Sequence, residues 1–273
     1  MKLPLYQIDA FTTERFKGNP AAVVPLTEWL SDEQLQHIAA ENNLSETAFF
    51  VPLTATASKE TGNTDADFDF HLRWFTPTHE VDLCGHATLA AAFTLFEHLG
   101  FTGEQVRFKS LGGPLTVTRD EQQLRLDFPS RPPQPIPVPG AILQALGVDS
   151  VQFSGRSRDW LLVLDSEQTV ANLTPNWYAL AQAAQHPVIV TAKGERCDFV
   201  SRFFAPSLGI NEDPVTGSAH CTLTPYWAGA LNRTQLSARQ ISARGGELTC
   251  VLEGERVYLC GQGVTYLTGE IFI

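Results

Sequence analysis

One pattern occurs twice in this chain. Arg73-Trp74-Phe75-Thr76-Pro77 runs into Cys84-Gly85-His86-Ala87, and Arg202-Phe203-Phe204-Ala205-Pro206 runs into Thr216-Gly217-Ser218-Ala219. The offset is 129 residues between the arginines and 132 between the glycines, close to half of 273. A repeat at half length sets the gross plan: two related halves, with one active cleft expected between them. A chain this long, 43% apolar, can bury a substantial core in each half.

Charge and leader composition narrow the function classes. A formal charge of −11 argues against a nucleic-acid footprint, which needs clustered Lys and Arg to displace counterions. An acidic small molecule remains open to it, because a local site can be positive on a negative surface. The start, Met1-Lys2-Leu3-Pro4, has no apolar signal core, and no apolar run nears the ~20 residues of a membrane span. A cytoplasmic protein that binds no membrane is expected. Five cysteines, an odd number without a CxxC pair, point to reduced thiols, four of them core-filling.

Strand signals dominate. Phe68, Phe70, Leu72 and Trp74 alternate with Asp67, Asp69, His71 and Arg73, the period of a strand with one buried face. Similar runs lie at 5–11, 21–24, 115–118, 124–128, 161–164, 188–191, 257–259 and 264–267. Ser31–Asn42 reads as a surface helix, with Ser31 as N-cap and Leu35, Ile38 and Ala39 as its apolar stripe. Ala87–Leu99 has almost no polar face, which predicts a helix buried through the centre of its domain and ended by Gly100. Its second copy, Gly217–Leu231, carries Pro225, which predicts a kink or an early stop. Six prolines between Pro129 and Pro139 favour extended polyproline geometry, so 129–139 reads as a connector between halves 1–128 and 140–261.

The two glycine turns each stand between a strand and a helix of small residues. A helix start offers unpaired N–H groups and partial positive charge, so two such turns facing one another would grip a carboxylate. One alone reads as an ordinary tight turn; repetition favours the site. Asp213-Pro214 is also a common helix-start signal. Glu46, directly before an apolar run, is either exposed at a strand edge or held near the cleft with a raised pKa that suits acid-base work. His86 reads as a core histidine or a site residue. Cys84 reads as a reactive thiol at a helix start or as a small packed residue. The spacing of His79, Cys84 and His86 fits no standard zinc pattern, so no metal is expected. No GxGxxG follows a strand and no GxxxxGK[ST] occurs, so no nucleotide cofactor is indicated.

Taken in order, several blocks resemble the PhzF (phenazine biosynthesis-like) family. They are Asp9-Ala10-Phe11-Thr12, Phe16-Lys17-Gly18-Asn19-Pro20-Ala21-Ala22-Val23, Leu44-Ser45-Glu46-Thr47-Ala48-Phe49, Arg73-Trp74-Phe75-Thr76-Pro77 with Cys84-Gly85-His86-Ala87-Thr88, and Glu212-Asp213-Pro214-Val215-Thr216-Gly217-Ser218-Ala219. The resemblance implies an α+β fold similar to diaminopimelate epimerase and proline racemase: two pseudo-symmetric domains, each a strongly curved, mostly antiparallel, barrel-like sheet around a central helix. It also implies no cofactor, a homodimer, and a C-terminal strand (262–273) that rejoins the first half. Carried over by residue, Glu46 resembles the carboxylate that moves a proton between substrate carbons, with Asp213, His86 and Ser45 assisting or orienting. Gly85, Gly217 and Ser218 match groups that hold the substrate, and Asn19, Cys84 and Thr216 are grouped with them. The related racemases use two opposed cysteines, whereas here Thr216 stands in the second position.

These readings converge on a cofactor-independent isomerase of a small carboxylic acid. Two alternatives stay open. One is an amino-acid racemase, epimerase or dehydratase using Cys84; the other is a non-catalytic metabolite-binding or interaction protein.

Overall fold

The period-two stretches form strands, and the all-apolar stretch forms a helix against them. The computed structural model describes residues 1–53 and 67–273, which divide into two units: Met1–Asp127 with Cys260–Ile273, and Phe128–Leu259. The proline segment is thus part of the second unit.

The first unit runs β1 (Lys2–Ala10), β2 (Asn19–Pro25), α1 (Asp32–Asn42), β3 (Glu46–Pro52), β4 (Phe70–Phe75), β5 (Glu80–Val81), α2 (Gly85–Glu97), β6 (Gln105–Ser110), β7 (Gly113–Asp120) and β8 (Gln123–Pro129). The C-terminal strand, Gly263–Phe272, pairs antiparallel with β1. From there the sheet continues β1-β2-β3-β4-β6-β7-β8, antiparallel among the described residues except for the parallel pairs β2–β3 and β4–β6. On α1 the Ser31 cap forms a reciprocal capping box with Gln34, and Leu35, Ile38 and Ala39 are buried against Phe49 and Phe75. Every residue of α2 except Phe93 and Glu97 is buried, and the helix packs on β1, β2 and β3. It runs two residues earlier at each end than the apolar stretch suggests. Its last carbonyls are taken by Leu99 and Phe101 N–H groups, with Gly100 at φ +68° turning the chain.

The second unit runs β9 (Gln134–Pro135), α3 (Gly140–Leu146), β10 (Phe153–Arg156), β11 (Trp160–Val163), α4 (Glu167–Asn172), α5 (Trp177–Ala183), β12 (Val188–Lys193), β13 (Phe199–Ala205), β14 (Ile210–Asp213), α6 (Gly217–Leu231), β15 (Gln235–Gln240), β16 (Gly246–Glu253) and β17 (Arg256–Gly261), the last residues of which return to the first unit. Within the proline segment, Gln134 and Pro135 pair with Arg156 and Gly155, a two-residue strand of the kind proline tolerates at a sheet edge. The early stop expected at Pro225 is absent, for α6 continues to Leu231. The proline leaves the Cys221 carbonyl without its helical donor, and the backbone N–H of Arg131 supplies one at 2.9 Å.

Both units repeat one topology. In the first, α1 joins parallel β2 and β3, and α2 joins parallel β4 and β6; in the second, α4 and α5 join parallel β11 and β12, and α6 joins parallel β13 and β15. The doubled arginines hold this plan in place. Arg73 forks onto Glu80 with two contacts of 2.7 Å and lies over Phe75, and Arg202 forks onto Glu212 at 2.7 and 2.9 Å and lies over Phe204. Each fork ties a strand to the hairpin partner that leads into the central helix, so the arginine fixes the run-in to the glycine turn.

Candidate active site

Asn19 opens β2 and Glu46 opens β3, and the parallel register of Ala21 with Glu46 brings both to one end of the sheet. The start of α2 meets them there: Cys84 is its N-cap, and Gly85 and His86 are its first two residues. His86 Nε2 lies 3.2 Å from Glu46 Oε2, while Nδ1 lies 3.2 Å from Asn19 Nδ2 and 3.5 Å from Cys84 Sγ. The Asn19 amide nitrogen only donates, so Nδ1 accepts and the ring proton sits on Nε2, toward Glu46. Burial on all sides keeps this imidazole neutral and pushes its pKa down to about 3. The approach to Glu46 is close without being aligned as a hydrogen bond, as is common for catalytic groups before substrate arrives. Ser45, the preceding residue, is half-buried.

The donor atoms of Glu46, Cys84 and His86 lie within 4.8 Å of one another, so these three could hold a cation. The positive end of α2 favours an anion there instead. His79 is not part of the cluster; its Nδ1 meets the hydroxyls of Thr76 and Thr78 at 3.2 and 2.9 Å.

In the second unit Asp213 ends β14, Thr216 is the N-cap of α6, and Gly217 and Ser218 form its first turn. The Thr216 hydroxyl donates to Asp213 Oδ2. Gln240, the last residue of β15, closes the network: its Oε1 accepts the Thr216 N–H at 2.8 Å, and its Nε2 donates to the Asp213 carbonyl at 2.7 Å and to Thr216 Oγ1 at 3.2 Å. One turn further on, His220 Nδ1 donates to the Thr216 carbonyl at 2.8 Å, just as Thr88 Oγ1 donates to the Cys84 carbonyl at 2.5 Å in the first unit. Full burial holds His220 neutral, its pKa lowered to about 4. The thiol of Cys221 beside it is pushed up to about 12 by the same cause and is inert.

Side-chain caps set these two helices apart from α1, α4 and α5, although the short α3, which starts after Pro139, has none either. The side chains of Ser31, Ser166 and Asn176 close the first turns of α1, α4 and α5, whereas neither Cys84 nor Thr216 makes a capping bond. An N-cap that leaves the first turn to another group is a condition for anion binding.

Asn19, Glu46, Cys84, Gly85 and His86 therefore share one locus in the first unit, and Asp213, Thr216, Gly217 and Ser218 share one in the second. Sequence reasoning passed over His220 and Gln240. The repeat itself carries a signal for His220, since it stands where the first copy has Thr88. Gln240 has no local signal; parallel pairing of β13 with β15 delivers it to the turn.

A family model described as PhzC-PhzF, phenazine biosynthesis-like protein, matches residues 8–269. The chain belongs to this family. An uncharacterized isomerase of Pseudomonas aeruginosa is 47% identical over the whole length of both chains. The crystal structure of a PhzF-family phenazine biosynthesis protein of Enterococcus faecalis is 48% identical, covers 100% of each chain and superposes with a TM-score of 0.90. A predicted epimerase of Pseudomonas aeruginosa, 19% identical over 99% of each chain with a TM-score of 0.76, shares the fold. With family and fold established and relatives named isomerases, this PhzF-type chain is an isomerase.

Proposed function

We propose that the protein moves a proton between carbons of a small carboxylic acid without a cofactor, and that Glu46 carries the proton. The observation behind this is the placement of the Glu46 carboxylate 3.2 Å from the Nε2–H of a neutral, buried His86 at an uncapped helix start. The imidazole can steady the carboxylate after it has lost its proton, and the helix start can stabilise charge developing on the substrate carboxylate. Asp213 serves as the second acid-base group. Gly85, Gly217, Ser218 and Ser45 hold the ligand, with Asn19 fixing the tautomer of His86. Both helix starts act on the same ligand in this reading, for which the doubled motif is the support. The protein works as a cytoplasmic homodimer.

The test is deuterium incorporation from solvent into candidate carboxylic acids. Wild type should label a carbon position, and Glu46→Gln should slow labelling by ~10²–10⁴-fold, the usual contribution of a positioned acid-base group. Equal labelling by both proteins removes Glu46 from this role. A second reading, racemization or epimerization through Cys84, is favoured by the 3.5 Å approach of its sulfur to His86 Nδ1. Full activity in Cys84→Ser would exclude it.

A further inference from the structure

Gln240 is 1% exposed, and all three hydrogen bonds of its amide go to the lead-in of α6. Two of those partners cannot change role: the Thr216 backbone N–H only donates, and the Asp213 carbonyl only accepts. They fix the amide with Oε1 on Thr216 and Nε2 on Asp213. The other hydrogen of Nε2 then points to Thr216 Oγ1, so that hydroxyl accepts there, and its own proton turns to Asp213 Oδ2. Two backbone groups thus set the direction of the whole chain of hydrogen bonds.

We infer that Gln240 is a positioning residue that locks the Thr216 hydroxyl onto Asp213 Oδ2 and so fixes the orientation in which the Asp213 carboxyl group meets substrate. This rests on the reading of Asp213 as the second acid-base group. It gives Thr216 a task other than touching substrate, since its N–H and O–H are both engaged inside the protein. It also explains why a threonine serves at this helix start: a hydroxyl is a strong, short-armed donor to a carboxylate, and a thiol is a weak one.

The test follows the carboxyl carbon of Asp213 by NMR in ¹³C-aspartate-labelled protein, the signal being identified by its loss in Asp213→Asn. Thr216→Val and Gln240→Met should move this resonance, and Thr216→Ser should leave it in place. Gln240→Glu, close in shape to the native side chain, stands in for Gln240→Met if that variant does not fold. In the labelling assay, Thr216→Val and the Gln240 variant should lower kcat by about 100-fold, as an ångström-scale misplacement of a reacting group does, with KM little changed. Thr216→Ser should keep most of kcat. An Asp213 resonance indifferent to Thr216→Val overturns the inference, as does a rise in KM with kcat intact. If wild type labels no candidate acid, the isomerization reading fails separately, and the carboxyl resonance alone decides the role of Gln240.

Discussion

Acid should unfold this protein partly through His220, by an amount that the burial of this side chain sets. The ring is fully buried and tilted beside Phe199, Nδ1 is committed to the Thr216 carbonyl, and Nε2 has no hydrogen-bond partner among the described residues. A proton added at Nε2 would create a buried cation with a donor that nothing accepts. Burial accordingly lowers the pKa from 6.5 to about 4. The unfolded chain binds this proton at a pH where the native one does not. The associated stability is therefore fully present above the unfolded value and is lost as pH falls toward the folded one. At about 1.4 kcal/mol per unit, roughly 3 kcal/mol is at stake. His220→Asn keeps a donor for Thr216 but cannot titrate. Urea unfolding followed by tryptophan fluorescence should show wild type losing about 2 kcal/mol more than the variant between pH ~6.5 and ~5. Any fixed cost of the substitution appears equally at about pH 7.5 and cancels from the difference. Parallel stability curves for the two proteins would refute the reasoning.

Two further substitutions probe the frame. Arg202→Met strands a half-buried Glu212 and the carbonyls of Val170 and Leu173, and should cost about 3–5 kcal/mol in chemical unfolding. Arg73→Met should cost less, because Asp32 and Glu80 are more exposed partners; equal losses would count against burial as the cause. Pro225→Ala should stabilise by less than the ~3 kcal/mol of intrinsic helix preference, because Arg131 already satisfies the orphaned carbonyl. Arg131→Pro, which removes that donor, should destabilise by about 1–3 kcal/mol in the same measurement, and no change would show that water serves equally well.

What the sequence made legible follows from the length over which each pattern acts. The stretch that became α2 is long enough for its missing polar face to register, and the alternation that became β4 spans several strand periods. The helices α3, α4 and α5 have six or seven residues each, under two turns, so no periodicity could reveal them, although Ser166 and Asn176 stood in the sequence as caps. All of β13 is buried, so it lacks the alternation that marks a one-sided strand. The continuation of α6 past Pro225 depends on a hydrogen bond from a residue nearly a hundred positions earlier, which no local reading could supply. The site divides the same way: Glu46, Cys84 and His86 stood in recognisable blocks, whereas Gln240 reaches Thr216 only through strand pairing.

The two units share one topology and differ in the side chains at the matching helix starts. In both units an arginine–glutamate fork steers the chain into a glycine turn, and a side chain four residues on holds the N-cap carbonyl. At that shared position the halves part. Cys84 borders a neutral imidazole that faces a carboxylate, a group of atoms whose protons can move. Thr216 is bound on its N–H and its O–H by groups that hold it still. A two-thiol mechanism would need equal, movable protons at both helix starts. At the second start the Thr216 hydroxyl instead donates to the Asp213 carboxylate. The asymmetry between Cys84 and Thr216 is therefore what the proposed carboxylate mechanism calls for, and a symmetric two-thiol exchange does not call for it.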